Sequence, residues 1–324
     1  MSPRHAKCSC KKAAVRRHGG RRRLCTVCGR TWSVRPKARG RKSTRIGDAV
    51  VRRLFVDGEN CRRLAKDYRR SVDTVRRRCR SACRRLVAVE GLPRLPPGDV
   101  LLALVVDGLW LCFRKQLWVL YDMAVKPVGA RTAFFLDPVV LPGRECGRNW
   151  LCAMATIPVA VTARIWALVA DGYSGCKMAA RRRQWVLQLC HRHLDARLLG
   201  RPGHRRRVHG EATRQAVLAA IREVRSTRDP LRITVLSQVL AEHVRHPDLS
   251  SRTAGVVRRF LHDVLLYRTY IDYPGLELPT TTNALESRHS QLRNVLRGVN
   301  NPAAAALRVR TYTRLHPTIT CNGL

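Results

Sequence analysis

Three acids carry the chemistry that can be read from this chain. Asp107 is the lone acid in the apolar run Leu101–Leu111 (LLALVVDGLWL), and Gly108 follows it at once. Asp171 repeats the arrangement near the end of Ile165–Gly172 (IWALVADG). Glu286 lies in Thr280–Arg293 (TTTNALESRHSQLR), where Leu285, Leu292 and Leu296 mark a buried helical stripe and His289 and Arg293 a polar one. A carboxylate in a strand buried on both faces must be paired, protonated or bound to a cation, because burying it bare is costly. Two strand-borne aspartates and one helix-borne glutamate suit a pair of divalent ions acting on phosphates. One ion activates the attacking oxygen and the other stabilises the leaving oxygen. The structural alternatives are turn caps for the two aspartates and a capping box from Asn283 to Glu286.

The elements that must position these acids alternate apolar runs with turns. Leu101–Leu111, Leu117–Ala124, Ala163–Ala170 and Trp185–Cys190 are expected as strands, with a helix near Gly147–Thr156. A mixed sheet of α/β type follows. Between Asp171 and Glu286 the pattern becomes helical and basic, in Glu211–Arg225, Leu231–His246 and Ser251–Tyr270. This block, about residues 195–275, is expected as an insertion into the α/β fold, and Pro302–Leu315 as a closing helix. Trp150, Trp166 and Trp185 are expected in the core.

Charge names the partner. The chain has 63 Lys+Arg against 22 Asp+Glu, a net charge of +41. That sign and size favour a polyanion, nucleic acid before an acidic membrane. No uncharged apolar stretch approaches the roughly 20 residues of a membrane span, and the basic N-terminus has no signal-peptide character. The odd count of 13 cysteines, several inside expected helices, favours reduced thiols with a metal-binding subset. Cys8-x-Cys10 and Cys25-x-x-Cys28 are candidate zinc ligands of a small ribbon at residues 1–40, with His5 or His18 as possible substitutes for one of the first two thiolates. Within an expected DNA-binding domain at 43–90, residues 44–86 read as three helices, with Asn60 and Ser71 as N-caps of the second and third. The third puts Val72, Val75, Cys79, Ala82, Cys83 and Leu86 on one face and Arg76, Arg77, Arg78, Arg80, Arg84 and Arg85 on the other. Two short helices joined by a tight turn, the second rich in arginine, resemble a helix-turn-helix. Arg76, Arg77, Arg80 and Arg84 are its expected DNA contacts. Gly91–Gly98 (GLPRLPPG) is the expected linker to a core at residues 99–324.

The sequence around Glu286, Thr281-Thr282-Asn283-Ala284-Leu285-Glu286-Ser287 continuing to Gln291-Leu292-Arg293, is similar to the glutamate motif of Mutator-type insertion-sequence transposases. Cys190-His191-Arg192-His193 is similar to that family's Cys-x-x-His motif. With VVDG and LVADG, the resemblance covers about Leu101 to the C-terminus, and the N-terminal cysteines fit the zinc-binding variant of the group. It implies a ribonuclease-H-like core carrying an all-helical insertion. It also implies Asp107, Asp171 and Glu286 as a triad for two Mg²⁺ (or Mn²⁺), with structural Zn²⁺ in the ribbon. The implied activity is 3′-end cleavage and strand transfer on double-stranded DNA, at terminal inverted repeats and a target, by a dimer or larger assembly in the bacterial cytoplasm at the nucleoid. Cys190 and His193 take a structural or DNA-end role, since two ligands alone do not make a zinc site. The competing expectations are a non-catalytic DNA-binding descendant of a transposase and a structure-specific nuclease with the same core.

Overall fold

The computed structural model describes residues 15–18, 22–33, 49–90, 94–199 and 211–320, and the chain falls into two compact units, residues 1–47 and 48–324. In the first unit, three short strands, β1 (Val15–Arg17), β2 (Arg22–Cys25) and β3 (Thr31–Ser33), form an antiparallel sheet in that order. The β2–β3 turn is tight: Gly29 N–H donates to the Cys25 carbonyl at 2.9 Å, and Cys25 N–H donates to the Arg30 carbonyl at 2.9 Å. Gly29 has φ +69°, a conformation that glycine adopts without a Cβ clash. Cys25 is buried and Cys28 exposed across this turn. Cys8 and Cys10, the other expected zinc ligands, lie outside the described residues.

The second unit opens with α1 (Ala49–Phe55), α2 (Cys61–Asp67) and α3 (Val72–Glu90). Asn60 Oδ1 accepts the Arg63 N–H at 2.9 Å and Ser71 Oγ accepts the Thr74 N–H at 3.2 Å, which satisfies donors that the helices cannot. α3 buries Val75, Cys79, Ala82 and Cys83 and exposes Arg76, Arg77, Arg80, Arg84 and Arg85. Its apolar face packs on α13 (Pro302–Leu315), in a cluster that also holds Leu109, Phe113 and Leu120 of the sheet.

The sheet has seven strands: β4 (Leu102–Phe113), β5 (Gln116–Pro127), β6 (Thr132–Phe135), β7 (Val139–Pro142), β8 (Ile165–Ala170), β9 (Val186–Leu189) and β10 (Thr318–Thr320). Their order is β10-β6-β5-β4-β8-β9, with β7 also pairing β5. β4 runs antiparallel to β5 along its whole length and parallel to β8, and β8 runs parallel to β9. The architecture is therefore mixed α/β. The β4–β5 hairpin turns through Arg114 (φ +49°) and Lys115 (φ +67°), the two consecutive positive φ values that a two-residue hairpin turn requires. One sheet face buries Leu104, Val106, Tyr121, Met123 and Leu168 in the main core, which α4 (Gly147–Met154), α5 (Val159–Thr162) and α6 (Ser174–Arg183) help to form. The other face carries Val105, Ala124, Phe135 and Val169, packed with Leu285 of α12 (Asn283–Val295). Each such side chain contributes about 1.5–3 kcal/mol when fully buried.

Between β9 and α12 lie α7 (His191–Leu199), α8 (Glu211–Ser226), α9 (Pro230–His243), α10 (Ser251–His262) and α11 (Val264–Asp272), then a 3-10 turn at Pro274–Leu276. The single helix expected over Ser251–Tyr270 breaks at Asp263, whose carboxylate takes ion pairs from Lys177 and His262. α11 docks on β9 at the edge of the sheet. The Tyr270 N–H donates to Gln188 Oε1 at 2.9 Å, Gln188 Nε2 donates to the Tyr267 carbonyl at 3.2 Å, and Thr269 Oγ1 donates to the Leu187 carbonyl at 2.7 Å. These bonds cover an edge that would otherwise invite another strand. Trp150 is buried, whereas Trp166 is 55% exposed, contrary to its expected place in the core: it is the extra residue where the β4–β8 register shifts between Leu102↔Ile165 and Ala103↔Ala167.

Candidate active site

The parallel register brings the two aspartates together. Val105 on β4 pairs with Val169 on β8, the last pair before the strands part. Asp107 and Asp171 each lie two residues further on, so a period of two puts both on the face of Val105 and Val169, at the same height. Asp107 accepts the Gly108 N–H at 2.9 Å, and Asp171 accepts the Tyr173 N–H at 2.9 Å. Asp171, just past the end of β8, is therefore a turn acceptor, whereas Asp107 lies mid-strand in β4 and the turn-cap alternative does not apply to it. Arg197 of α7 reaches Asp171 Oδ2 at 3.5 Å and its carbonyl at 3.1 Å.

α12 lies over the same face and brings Glu286 to it. The N-cap is Thr282, one residue before Asn283, and its side chain makes no capping bond. The capping-box alternative for Glu286 is thus excluded. Glu286 instead faces Arg192 Nε at 2.5 Å and His193 Nδ1 at 3.6 Å. Asp107, Glu286, Arg192, His193, His289 and Arg293 line a cleft of about 750 Å³. His289 is buried rather than on a solvated polar face: its Nδ1 lies 3.4 Å from Asp107 Oδ2 and its Nε2 3.4 Å from Asp122 Oδ2.

Asp122 is a residue that sequence reasoning missed. It is the cross-strand partner of Asp107, and like charges directly opposite destabilise a sheet. His289 stands between the two carboxylates. The fully buried Arg288 reaches Asp122 at 3.4 Å, donates to Thr313 Oγ1 at 2.5 Å and lies 3.9 Å over the Phe135 ring. Asp122 has the same signature as Asp107, a lone acid in an apolar run (LWVLYDMAV), so the rule that found one could have found the other.

Glu145 is the second missed residue, and its turn-rich context (LPGRECG) gave no signal. Trp150 Nε1 donates to Glu145 Oε1 at 2.7 Å, and a Cβ built on Gly108 would lie 3.1 Å from Glu145 Oε2. Glu145 is thus a fourth carboxylate beside Asp107. Tyr173 ties it to Asp171, because the Tyr173 hydroxyl donates to the Glu145 carbonyl at 2.8 Å while its own N–H bonds Asp171. Two glycines permit this approach: a Cβ on Gly175 would fall 2.5 Å from the Gly147 Cα, so α4 and α6 meet backbone to backbone.

Burial pushes the Asp107 carboxyl up to about 6; His289 and His193 oppose the shift, and Asp171 and Glu286 add to it. Burial also raises Glu145, against the Trp150 hydrogen bond and with help from Asp171 and Asp107. Burial disfavours the charged form of His193, but its hydrogen bond with Cys190 and the nearby acids bring it up to about 9. Burial disfavours the Cys190 thiolate as well, yet the His193 partner and the Thr282 hydroxyl hold the thiol below its usual range. The cleft therefore contains crowded carboxylates rimmed by arginine and a cationic histidine, an arrangement able to hold divalent cations beside a phosphate.

The structure brings Asp107, Asp171 and Glu286 into one electrostatic neighbourhood, and Cys190 and His193 join them at Glu286. Arg76, Arg77, Arg80 and Arg84 are exposed on α3. Cys25 and Cys28 belong to the other compact unit. No protein-family model matches the sequence, and no curated protein matches it.

Proposed function

We propose that the chain is a metal-dependent DNA transposase that cleaves 3′ ends at terminal inverted repeats and joins them to target DNA. The observation that carries this reading is the β4–β8 register, which sets Asp107 beside Asp171 where two parallel strands part, with Glu286 facing them from α12. A ribonuclease-H-like core is supported by three successive antiparallel strands followed by two parallel ones, and by the helical block before α12. The residues fit divalent cations: burial disfavours the charged Asp107 carboxylate, and Asp171 and Glu286 are near enough to raise it further against His289 and His193, so a cation would stabilise the three acids together. Two Mg²⁺ or Mn²⁺ ions would supply charge neutralisation at the attacking and leaving oxygens. Asp107, Asp171 and Glu286 would hold them.

The chain's own residues do the rest. Arg192, His193 and Arg293 present positive charge to the DNA phosphates at the cleft. Arg76, Arg77, Arg80 and Arg84 on α3 bind duplex backbone, as the net charge of +41 favours. Cys25 and Cys28 supply one zinc knuckle, with Cys8 and Cys10 completing the ribbon. Joining two DNA ends requires a dimer or larger assembly, and the site of action is the bacterial nucleoid. Among the described residues no helix is long and apolar enough to cross a membrane.

One observation favours a second reading, a non-catalytic DNA-binding relic: each triad acid has a basic side chain within 3.5 Å, His289 at Asp107, Arg197 at Asp171 and Arg192 at Glu286. The test is Mg²⁺- or Mn²⁺-dependent cleavage and joining on DNA carrying the gene's own flanks, with Asp171→Asn beside the unaltered chain. Cleavage and joining by the unaltered chain alone is expected. Cleavage without joining identifies a nuclease, and tight binding without cleavage identifies the relic.

A further inference from the structure

Cys190, His193 and Glu286 come from three places: the end of β9, the first turn of α7 and the first turn of α12. Their ligand atoms all lie within 4.8 Å of one another, and His193 Nδ1 is 3.6 Å from Glu286 Oε1. We propose that these three residues form a site for a borderline-soft divalent ion of the zinc class. The donor set is sulfur, nitrogen and oxygen. Zinc takes this mixture readily, whereas magnesium requires oxygen throughout. His193 and Glu286 border the open cleft while Cys190 lies buried behind them, so a three-ligand site would leave a coordination position on the cleft side for water or another oxygen, as in zinc sites that exchange a ligand.

The surroundings are those of a metal thiolate. Cys190 is 1% exposed, and its sulfur accepts the Thr282 N–H at 3.3 Å, a bond that orients it and stabilises its charge. Thr282 directly precedes α12, so the same residue fixes the thiolate and the start of the helix that carries Glu286. Arg192 holds Glu286 Oε2, which leaves Oε1 turned to His193.

Glu286 is shared with the acidic pair. An ion held by Cys190 and His193 therefore withdraws that carboxylate from Asp107 and Asp171. Zinc becomes an inhibitor of the magnesium-dependent reaction, a consequence that rests on the function proposed above.

The test uses Co²⁺ as the probe, titrated into the reduced full chain carrying Cys25→Ser and Cys28→Ser, so that the N-terminal knuckle does not report. A thiolate-to-cobalt charge-transfer band saturating at one equivalent is expected. It should vanish with Cys190→Ser, weaken at least tenfold in affinity with Glu286→Gln, and persist in excess Mg²⁺. No band, or a band that Cys190→Ser leaves intact, overturns the site. Because Cys190 is buried, the folding of that variant is checked by melting. Zn²⁺ should raise the melting temperature of the Cys25→Ser/Cys28→Ser chain and leave the chain that also carries Cys190→Ser unmoved; equal shifts overturn the site. A cobalt band without DNA cleavage under any condition supports the site and overturns the transposase reading. Cleavage that saturating Zn²⁺ leaves unchanged overturns the sharing of Glu286.

Discussion

Acids in two regions of this molecule are treated in opposite ways. In the helical block and its flanks, carboxylates are neutralised by dedicated basic partners: Asp195 by Arg225 at 2.9 Å and Arg222 at 3.2 Å, Glu223 by Arg232 at 2.5 Å, Asp263 by Lys177 and His262. Burial opposes the charge on Asp263, but those two partners hold it below the usual carboxylate range. At the cleft, burial pushes up Asp107, and behind it burial pushes up Glu145 with help from Asp171 and Asp107; among the described residues Glu145 has an indole N–H but no ion pair. A chain with 63 basic residues does not lack partners to offer. Basic side chains stand within 3.5 Å of Asp107, Asp171 and Glu286 as well, so the contrast lies in burial, which raises Asp107 and Glu145 where partners lower Glu223 and Asp263; on the function proposed above, a cation would relieve that penalty.

The largest effect is expected at a further paired acid, Asp122 of the sheet, which is fully buried together with its partner Arg288. Arg288→Met leaves Asp122 buried without its guanidinium, and stability should fall by about 3–5 kcal/mol in urea unfolding. Adding Asp122→Asn should restore part of the loss. The cleft class should respond with the opposite sign. Asp107 rises from 3.8 to about 6 on folding, so the folded state binds its proton more tightly than the unfolded state does. Its charge therefore destabilises the metal-free protein above pH 6, by up to about 3 kcal/mol, and the penalty disappears as pH falls towards 4. Asp107→Asn should stabilise metal-free protein at pH 8 by an amount of that order and change little at pH 4.5. With saturating Mg²⁺ the sign should reverse, because only the aspartate gains from the ion. The smallest effect belongs to Lys177→Met, which removes a half-exposed partner of Asp263 and should cost no more than about 1 kcal/mol. A larger loss would mean that the Asp263 helix break depends on this pair.

Much of the frame was legible because its signals are long. β4 and β5 are twelve residues each and nearly all apolar, and the helices of the block carry apolar stripes over three or more turns. β6, β7 and β10, of three or four residues, are too short for alternation to register, and they exist because longer neighbours offer edges to pair with. Asp107, Asp171 and Glu286 stood out as lone acids in readable elements. Their juxtaposition depended on a strand register that no local pattern encodes. Glu145 was hidden for the complementary reason: its loop is unremarkable, and only the α4–α6 crossing carries it to Gly108. His289 was placed on the polar face of its helix, but helical spacing could not say that Asp107 and Asp122 stand opposite it and bury it.

The meeting of Gly147 and Gly175 has a consequence for which ions the cleft accepts. A side chain between two helices can change rotamer and let them shift, but two backbones in contact cannot be pressed closer. The spacing of Glu145 from Asp171 is thus set by the peptide chain itself, and tied again through Tyr173. Magnesium binds oxygen at about 2.0–2.1 Å and calcium at about 2.3–2.6 Å. On the function proposed above, and with Glu145 facing the same ions as Asp171, a rigid separation of this kind would sort ions by radius, because the carboxylates would not follow the larger one outward. Enlarging Gly175 would act as a spacer between the helices, retuning that preference from a position that touches no ligand.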